Sequence, residues 1–236
     1  MPRHHTLLSV PRPCLTGNIP HIETSPPIPG AMGNTDYWNE AIGHISTRDP
    51  ILSRIAEAYT EPKLSPHGDV VRTLIKSVVG QQISVQAADA TWERMVALMG
   101  KVDPGRILET DIMSLRGCGL SMRKAEYISG IAEMWERGAL NVNWDELEES
   151  EVRERLLPIR GVGPWTVDMV LIFSLGFQDV LPLGDVGLIR AVENNYSGGR
   201  KLTLEEVRGI ADQWRPYRTV ATWYLWRTID AEPVNY

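Results

Sequence analysis

Apolar residues recur at three- and four-residue spacing along most of the chain from Asp36 onward, which is the period of an amphipathic α-helix. Glycine, proline or polar residues interrupt the pattern, and no alternating pattern indicates a pair of strands. We therefore predict an all-α fold. The predicted helices cover residues 36–45, 48–58, 67–79, 84–99, 122–137, 151–157, 165–175, 186–195, 203–213 and 217–229.

Residues 1–34 lack this pattern and contain seven of the 16 prolines of the chain. Segments of this composition do not bury enough apolar surface to fold, so we predict a flexible proline-rich tail. The tail has no continuous apolar core of a secretory signal. One helical domain is expected at residues 35–236.

Composition narrows the classes of function. The chain of 236 residues is 43% hydrophobic and has no apolar run near the roughly 18 residues of a membrane span, so no membrane partner is expected. Its net charge of -6 argues against broad attraction to nucleic acid, and any such contact must be local. Cys14 and Cys118 are the only cysteines, which excludes a four-cysteine iron–sulfur cluster and fits a reducing intracellular setting.

The most distinctive stretch is 156–170, LLPIRGVGPWTVDMV. Gly161 and Gly163 permit backbone angles that other residues avoid, and Pro164 is well placed to begin a second helix, so we predict a helix-hairpin-helix. Amides left unpaired in such a turn bind anions, and the candidate donors belong to Gly161, Gly163 and Thr166. Glycine spacing alone equally allows a corner between two helices in which the glycines only permit close packing.

A second stretch with the Arg-Gly-x-Gly pattern of the hairpin occurs at 115–121, LRGCGLS. Ser121 is expected to cap the following helix, with Arg123 and Lys124 in its first turn. Cations at a helix N-terminus oppose the helix dipole, which favours an external anion such as a second phosphate. An ordinary loop with two exposed cations is the alternative.

Two further motifs flank the hairpin. The sequence GQQIS at 80–84 joins two apolar helices, either as a generic polar connection or with a capping role for Gln82 or Ser84. Asp185 follows LPLG at 181–184 and is a natural N-cap. The connection 176–184 can extend about 30 Å, enough to return Asp185 to the hairpin.

These three motifs, in this order, resemble the helix-hairpin-helix superfamily of DNA base-excision glycosylases, and most closely the 3-methyladenine DNA glycosylase II family. The resemblance extends over about residues 35–230. It implies two helical lobes with a cleft between them, the first and last helices sharing one lobe. It also implies a partner, double-stranded DNA that contains damaged bases, and a location with DNA, in prokaryotic cytoplasm or a eukaryotic nucleus. We expect a monomer.

The resemblance assigns roles to individual residues. Asp185 is the expected catalytic carboxylate, which stabilises positive charge on the sugar as the N-glycosidic bond breaks. Gln82 is expected to fill the gap left when a nucleotide rotates out of the stack. The expected base pocket contains Trp165, Met169 and Trp223, and the expected DNA contacts are Gln81, Gln82, Ser84, Gly161, Gly163 and Thr166.

Trp165 stands where bifunctional relatives carry a lysine that forms a Schiff base with the sugar. The resemblance therefore implies a monofunctional glycosylase without AP lyase activity. The indole can stack on a cationic base, and core packing is its alternative role. Alkylated purines such as 3-methyladenine and 7-methylguanine are the expected substrates. The competing readings are a DNA-binding module without catalysis and a glycosylase for deaminated or mismatched bases.

No cofactor is required by this reading. Related structures can hold a monovalent cation, Na⁺ or K⁺, on hairpin carbonyls, which here are those of Leu157, Ile159 and Val162. An iron–sulfur cluster is not expected.

Overall fold

The computed structural model describes residues 35–230, with side chains from Tyr37 onward. The predicted tail at 1–34 lies outside the described residues. Across the described residues the fold is entirely helical, as the apolar pattern predicts. The helices are α1 (Thr35–Arg48), α2 (Pro50–Ala58), α3 (Val70–Gly80), α4 (Val85–Met99), α5 (Pro104–Glu109), α6 (Ile112–Gly117), α7 (Met122–Glu136), α8 (Glu149–Leu156), α9 (Pro164–Met169), α10 (Val186–Tyr196), α11 (Leu204–Ala211) and α12 (Arg218–Arg227). Short 3₁₀ turns occur at Trp144–Glu146 and Asp212–Trp214.

The structure corrects the predicted helices in two places. Helices α5 and α6 were not predicted, because six residues are too few to show a helical period. Each is preceded by an N-cap aspartate, Asp103 or Asp111, whose side chain accepts hydrogen bonds from backbone amides of the first turn. The single helix predicted at 165–175 is α-helical only to Met169 and then π-helical over Val170–Ser174. Such wider turns are common at functional sites.

Helix α3 is the central helix of the fold. Eight of its 11 residues are buried, and it packs against α4, α7, α9 and the π-helical segment. A helix buried on almost every side cannot shift without disturbing the core around it. The turn at its C-terminal end, 80–84, is therefore carried on a rigid support.

Asp49 joins the first helices to the last ones. Its side chain is 2% exposed and caps α2, with Oδ1 accepting from the amides of Ile51 at 2.9 Å and Leu52 at 3.0 Å. Oδ2 accepts from the Tyr196 hydroxyl at 2.6 Å and from the Trp214 indole at 2.8 Å. Burial and this neighbouring carboxylate raise the pKa of Tyr196. Four donors satisfy one buried carboxylate.

We predict that Asp49→Asn lowers the free energy of unfolding by about 2 kcal/mol, because the new amide group faces the Tyr196 and Trp214 donors. Asp103→Asn is the matched control. Asp103 caps α5 through one amide, and asparagine caps as well as aspartate, so the loss there should stay below about 0.5 kcal/mol. Urea unfolding measures both, and equal losses would contradict the account.

Candidate functional site

The turn 80–84 presents a polar side chain to solvent. Helix α3 ends at Gly80, and Ser84 caps α4 by accepting from the Ala87 amide at 3.3 Å. Gln82 has a φ of 58°, the left-handed region that residues other than glycine seldom adopt. Its side chain is exposed, and the neighbouring Ile83 is 42% exposed. The turn thus exposes Gln82, the residue that was predicted to enter DNA.

Helices α8 and α9 form the predicted helix-hairpin-helix. Gly161 has a φ of 90°, and a Cβ atom there would lie 2.2 Å from Cδ2 of Tyr127, so glycine is required on two grounds. The prediction that Gly163 also needs unusual backbone angles is wrong. Its φ of -107° is open to any residue, and a Cβ atom there would meet nothing within 4 Å. The turn depends on one glycine rather than two.

The hairpin retains unpaired amides. The first helical bond of α9 runs from the Val167 amide to the Gly163 carbonyl at 3.1 Å. Among residues 35–230, the amides of Gly161, Gly163 and Thr166 have no intramolecular acceptor. This is the usual state of a helix N-terminus, and it makes these groups available to an anion. The side chain of Thr166 is buried.

Gln81 connects the two turns. Its side-chain nitrogen donates to the Gly161 carbonyl at 2.9 Å and to the Thr166 hydroxyl at 3.2 Å. The sequence assigned Gln81 to DNA contact, whereas both acceptors of this nitrogen belong to the hairpin. The turn 80–84 and the hairpin are thereby fixed to one another.

An ion pair fastens the two helices of the hairpin. Arg153 on α8 contacts Asp168 on α9 at 2.7 Å and Glu149 at 2.8 Å. Burial raises the pKa of Asp168 to about 6, although the guanidinium favours its charged form. The pair holds α9, and with it Trp165, against α8.

Asp185 lies where three helices meet. It caps α10, and its Oδ1 accepts from the Leu188 amide at 2.6 Å and from the Trp226 indole at 2.9 Å. Its Oδ2 accepts from the Trp165 indole at 2.8 Å. The predicted return of the chain to the hairpin is confirmed, because Trp165 belongs to the first turn of α9. The carboxylate is held at a fixed position by donors from three elements.

A cavity of about 660 Å³ opens beside Asp185. Trp165, Met169 and Trp223 all line it, as predicted for the base pocket. Two aromatic residues of the wall were not predicted, Phe173 and Trp226, whose rings stack with centroids 5.7 Å apart and planes at 12°. Trp226 stands three residues after Trp223, a spacing that places both on one helical face and that could have revealed it. The cavity is also lined by the turn 80–84 and by Lys76, Asp89, Gly184, Val186, Gly187, Arg227 and Asp230.

The aromatic walls are held in place by their polar edges. The indole nitrogen of Trp223 donates to the Pro62 carbonyl at 3.1 Å, while those of Trp165 and Trp226 donate to Asp185. Fixed rings around a mostly apolar space suit a flat ring system, and Asp185 is the carboxylate that two of these rings hold in place. The site can therefore hold a planar heterocycle next to a negative charge.

The carbonyls proposed for a cation lie in the hairpin turn. The Ile159 carbonyl accepts from the Val162 amide at 3.0 Å, and a carbonyl oxygen has a second lone pair for a ligand. Ile159 and Val162 have buried side chains and that of Leu157 is exposed. The cation site remains a prediction. Among the helices described at 35–230, none has the length and apolar character to cross a membrane.

Residues 75–216 match the HhH-GPD superfamily of base excision DNA repair proteins. The chain belongs to this superfamily. The matched residues include the turn 80–84, the hairpin and Asp185, which are the three motifs that carried the resemblance in the sequence.

Similar members carry glycosylase names. DNA-3-methyladenine glycosylase 1 of Schizosaccharomyces pombe is 35% identical over 164 residues, 66% of this chain and 70% of the relative. The alkylbase DNA glycosidase-like protein of the same organism is 30% identical over 208 residues, covering 83% of this chain and 96% of that protein. The solved S. pombe 3-methyladenine DNA glycosylase in complex with abasic DNA has a TM-score of 0.74 at 31% identity, over 80% of this chain and 96% of that one.

For this HhH-GPD protein we predict that Gly161→Ala weakens binding to damaged and undamaged duplexes alike, by about tenfold or more. The new Cβ atom displaces the turn and misaims its amides, and phosphate contacts position DNA without reading bases. Gly130→Ala is the control, because Gly130 lies within α7 and a Cβ there meets nothing within 4 Å. Fluorescence anisotropy measures both. Normal binding by a folded Gly161→Ala variant would contradict the phosphate site.

Proposed function

We propose that this protein is a monofunctional DNA glycosylase that hydrolyses the N-glycosidic bond of alkylated purines, of the 3-methyladenine and 7-methylguanine type, in duplex DNA during base excision repair. The observation that carries the proposal is Asp185, a carboxylate held by two indoles at the wall of an aromatic cavity. Superfamily membership and the names of the relatives support the reaction class.

Binding begins with the DNA backbone in this proposal. The amides of Gly161, Gly163 and Thr166 hold one phosphate of double-stranded DNA, and the turn 80–84 enters the duplex with Gln82. The damaged nucleotide rotates into the cavity, where the base lies against Trp165 and its neighbours. A cationic purine gains electrostatic attraction to an indole face. Because the indole nitrogen is already bonded to Asp185, the ring face is the part of Trp165 that the base contacts.

Asp185 then acts on the sugar. Cleavage of the bond to the base leaves positive charge on the deoxyribose, and a carboxylate fixed beforehand stabilises that charge more than the ground state. Water supplies hydroxide to C1′ and releases one proton, with Asp185 positioned to orient or accept it. An alkylated purine is cationic and departs as a neutral base, so it needs no second carboxylate as general acid. The products are the free base and an abasic site.

Trp165 supports the absence of AP lyase activity, because an indole cannot form a Schiff base with the sugar. The catalysed hydrolysis needs no cofactor. Na⁺ or K⁺ on the carbonyls of Leu157, Ile159 and Val162 would act only by holding the hairpin. The proposed enzyme is a monomer that works inside the cell on its DNA.

We predict that Asp185→Asn slows single-turnover excision more than about a hundredfold, equivalent to about 3 kcal/mol, because the charge facing the developing cation is lost. Asparagine still caps α10, but its amide nitrogen faces the Trp165 indole donor in place of Oδ2, so the fold should survive with a loss of about 1 to 2 kcal/mol. Affinity for lesion DNA should remain near that of the wild type. Quench-flow excision and anisotropy on the same folded protein measure the two effects.

The control for that variant is Asp230→Asn, which removes a charge from an exposed position at the same cavity. It should change excision less than about threefold, because Asp230 makes none of the bonds that fix Asp185. Excision by Asp185→Asn at the wild-type rate would exclude Asp185 as the catalytic carboxylate.

We also predict that borohydride does not trap the enzyme covalently on lesion DNA, and that strand cleavage requires added alkali. Gel electrophoresis after reduction measures the trapped complex. Efficient trapping would refute a purely monofunctional reaction. Loss of that trapping in Lys76→Gln would then identify the amine, since Lys76 lines the cavity.

A further inference from the structure

We infer that Lys124 is a positioning residue for base extrusion, whose ammonium holds the turn 80–84 in the conformation that presents Gln82 to the duplex. The inference rests on the proposed function, because it takes this turn to be the element that enters DNA.

The contacts of Lys124 are specific. Its Nζ donates to the Val79 carbonyl at 2.7 Å and to the Gln81 carbonyl at 2.7 Å. These carbonyls lie at the C-terminal end of α3, where the last backbone acceptors of a helix lack intrahelical partners and the helix dipole is negative. A lysine at that end satisfies the carbonyls and complements the dipole. The bonds connect α7 to the turn across 43 and 45 residues of sequence.

Its place on α7 is otherwise unfavourable. Ser121 caps α7, and Lys124 lies in the first turn, where a cation opposes the dipole of its own helix. The sequence suggested an external anion as the reason. The structure supplies a different reason, because the Lys124 side chain extends to the C-terminal end of α3, where the helix dipole is negative. Burial lowers the pKa of Lys124, whose ammonium donates to two backbone carbonyls.

The turn that Lys124 holds is strained. Gln82 adopts a φ of 58°, and such a conformation persists in a non-glycine residue only where the surroundings enforce it. Two constraints act on the preceding residue, Gln81. Lys124 binds its carbonyl, and the side chain of Gln81 binds the hairpin. Between them they fix the backbone on one side of Gln82.

This arrangement matters at one step of the reaction. A turn that is already ordered can fill the gap as a nucleotide leaves the stack, without losing further conformational freedom at that moment. The benefit is largest when the lesion is stacked and paired, because extrusion is then most costly. It is small when the lesion is already unpaired. A general loss of stability would slow excision from both kinds of substrate.

The test compares Lys124→Met with the wild type on one lesion in two contexts, a fully paired duplex and an unpaired bulge. We expect excision from the paired duplex to slow about tenfold and excision from the bulge less than about threefold. In a Gln82→Gly background, which removes both the plug and the strain, Lys124→Met should add less than about threefold. Equal slowing in both contexts, or an unchanged effect in the Gln82→Gly background, would overturn the inference.

Arg123→Met is the charge control. Arg123 is an exposed cation next to Lys124, and its side chain is not bonded to the turn. Arg123→Met should leave unchanged the ratio of the excision rate on the paired duplex to the excision rate on the bulge. The same change in ratio for both variants would overturn the inference, because local charge rather than the two carbonyl bonds would be responsible. If Lys124→Met does not fold, the same two substrates are compared with Lys124→Gln, which keeps a single donor group.

A second readout does not depend on excision. A 2-aminopurine base opposite an uncleavable abasic analogue reports local unstacking when the turn enters DNA. Lys124→Met should reduce the rise in fluorescence at saturating protein, and Arg123→Met should not. A wild type that gives the rise but excises nothing would count against the proposed function and leave this inference standing. An unchanged rise in Lys124→Met would overturn the inference.

Discussion

The site depends on three donors to one carboxylate. The Leu188 amide and the indoles of Trp165 and Trp226 approach Asp185 from α10, α9 and α12. Each helix is fixed elsewhere by the core, so the carboxylate has little freedom to turn. The two indole bonds also orient two of the rings that line the cavity. Negative charge and aromatic wall are therefore positioned together, which is the preorganisation that stabilises a developing cation.

A second set of contacts fixes the surface proposed to meet DNA. Gln81 bonds the turn 80–84 to the hairpin, and Lys124 bonds the same turn to α7. Because α3 is buried along most of its length, these contacts connect both turns to the core. A chain with a net charge of -6 has no broad electrostatic attraction to DNA. Any recognition of DNA must therefore be local, and our proposal assigns it to the hairpin amides and the turn 80–84.

Local sequence patterns predicted much of this architecture. Gly161, Pro164 and the capping residues Ser84 and Asp185 have roles set by backbone geometry within a few residues, so their types alone indicated the turns. Resemblance placed Trp165 and Trp223 at the pocket. Helices α5 and α6 were missed because each has only six residues.

The missed contacts are those made between distant segments. Gln81 and Lys124 look like surface polar residues in the sequence, and only the tertiary fold brings them to their carbonyl partners. The second indole donor to Asp185, Trp226, was also missed, although its spacing of three residues from Trp223 places both on one helical face. The sequence predicted that Gly163, like Gly161, adopts backbone angles that other residues avoid, whereas its φ of -107° is open to any residue.

The central claim is that the cavity beside Asp185 receives an alkylated purine and releases it. The most direct measurement presents the wild-type protein with matched duplexes that contain 3-methyladenine, 7-methylguanine, ethenoadenine, hypoxanthine or uracil, and detects the free base by chromatography. The account predicts release of the two methylated purines, with an intact strand that breaks only on treatment with alkali. Binding of all five duplexes without release of any base would contradict it.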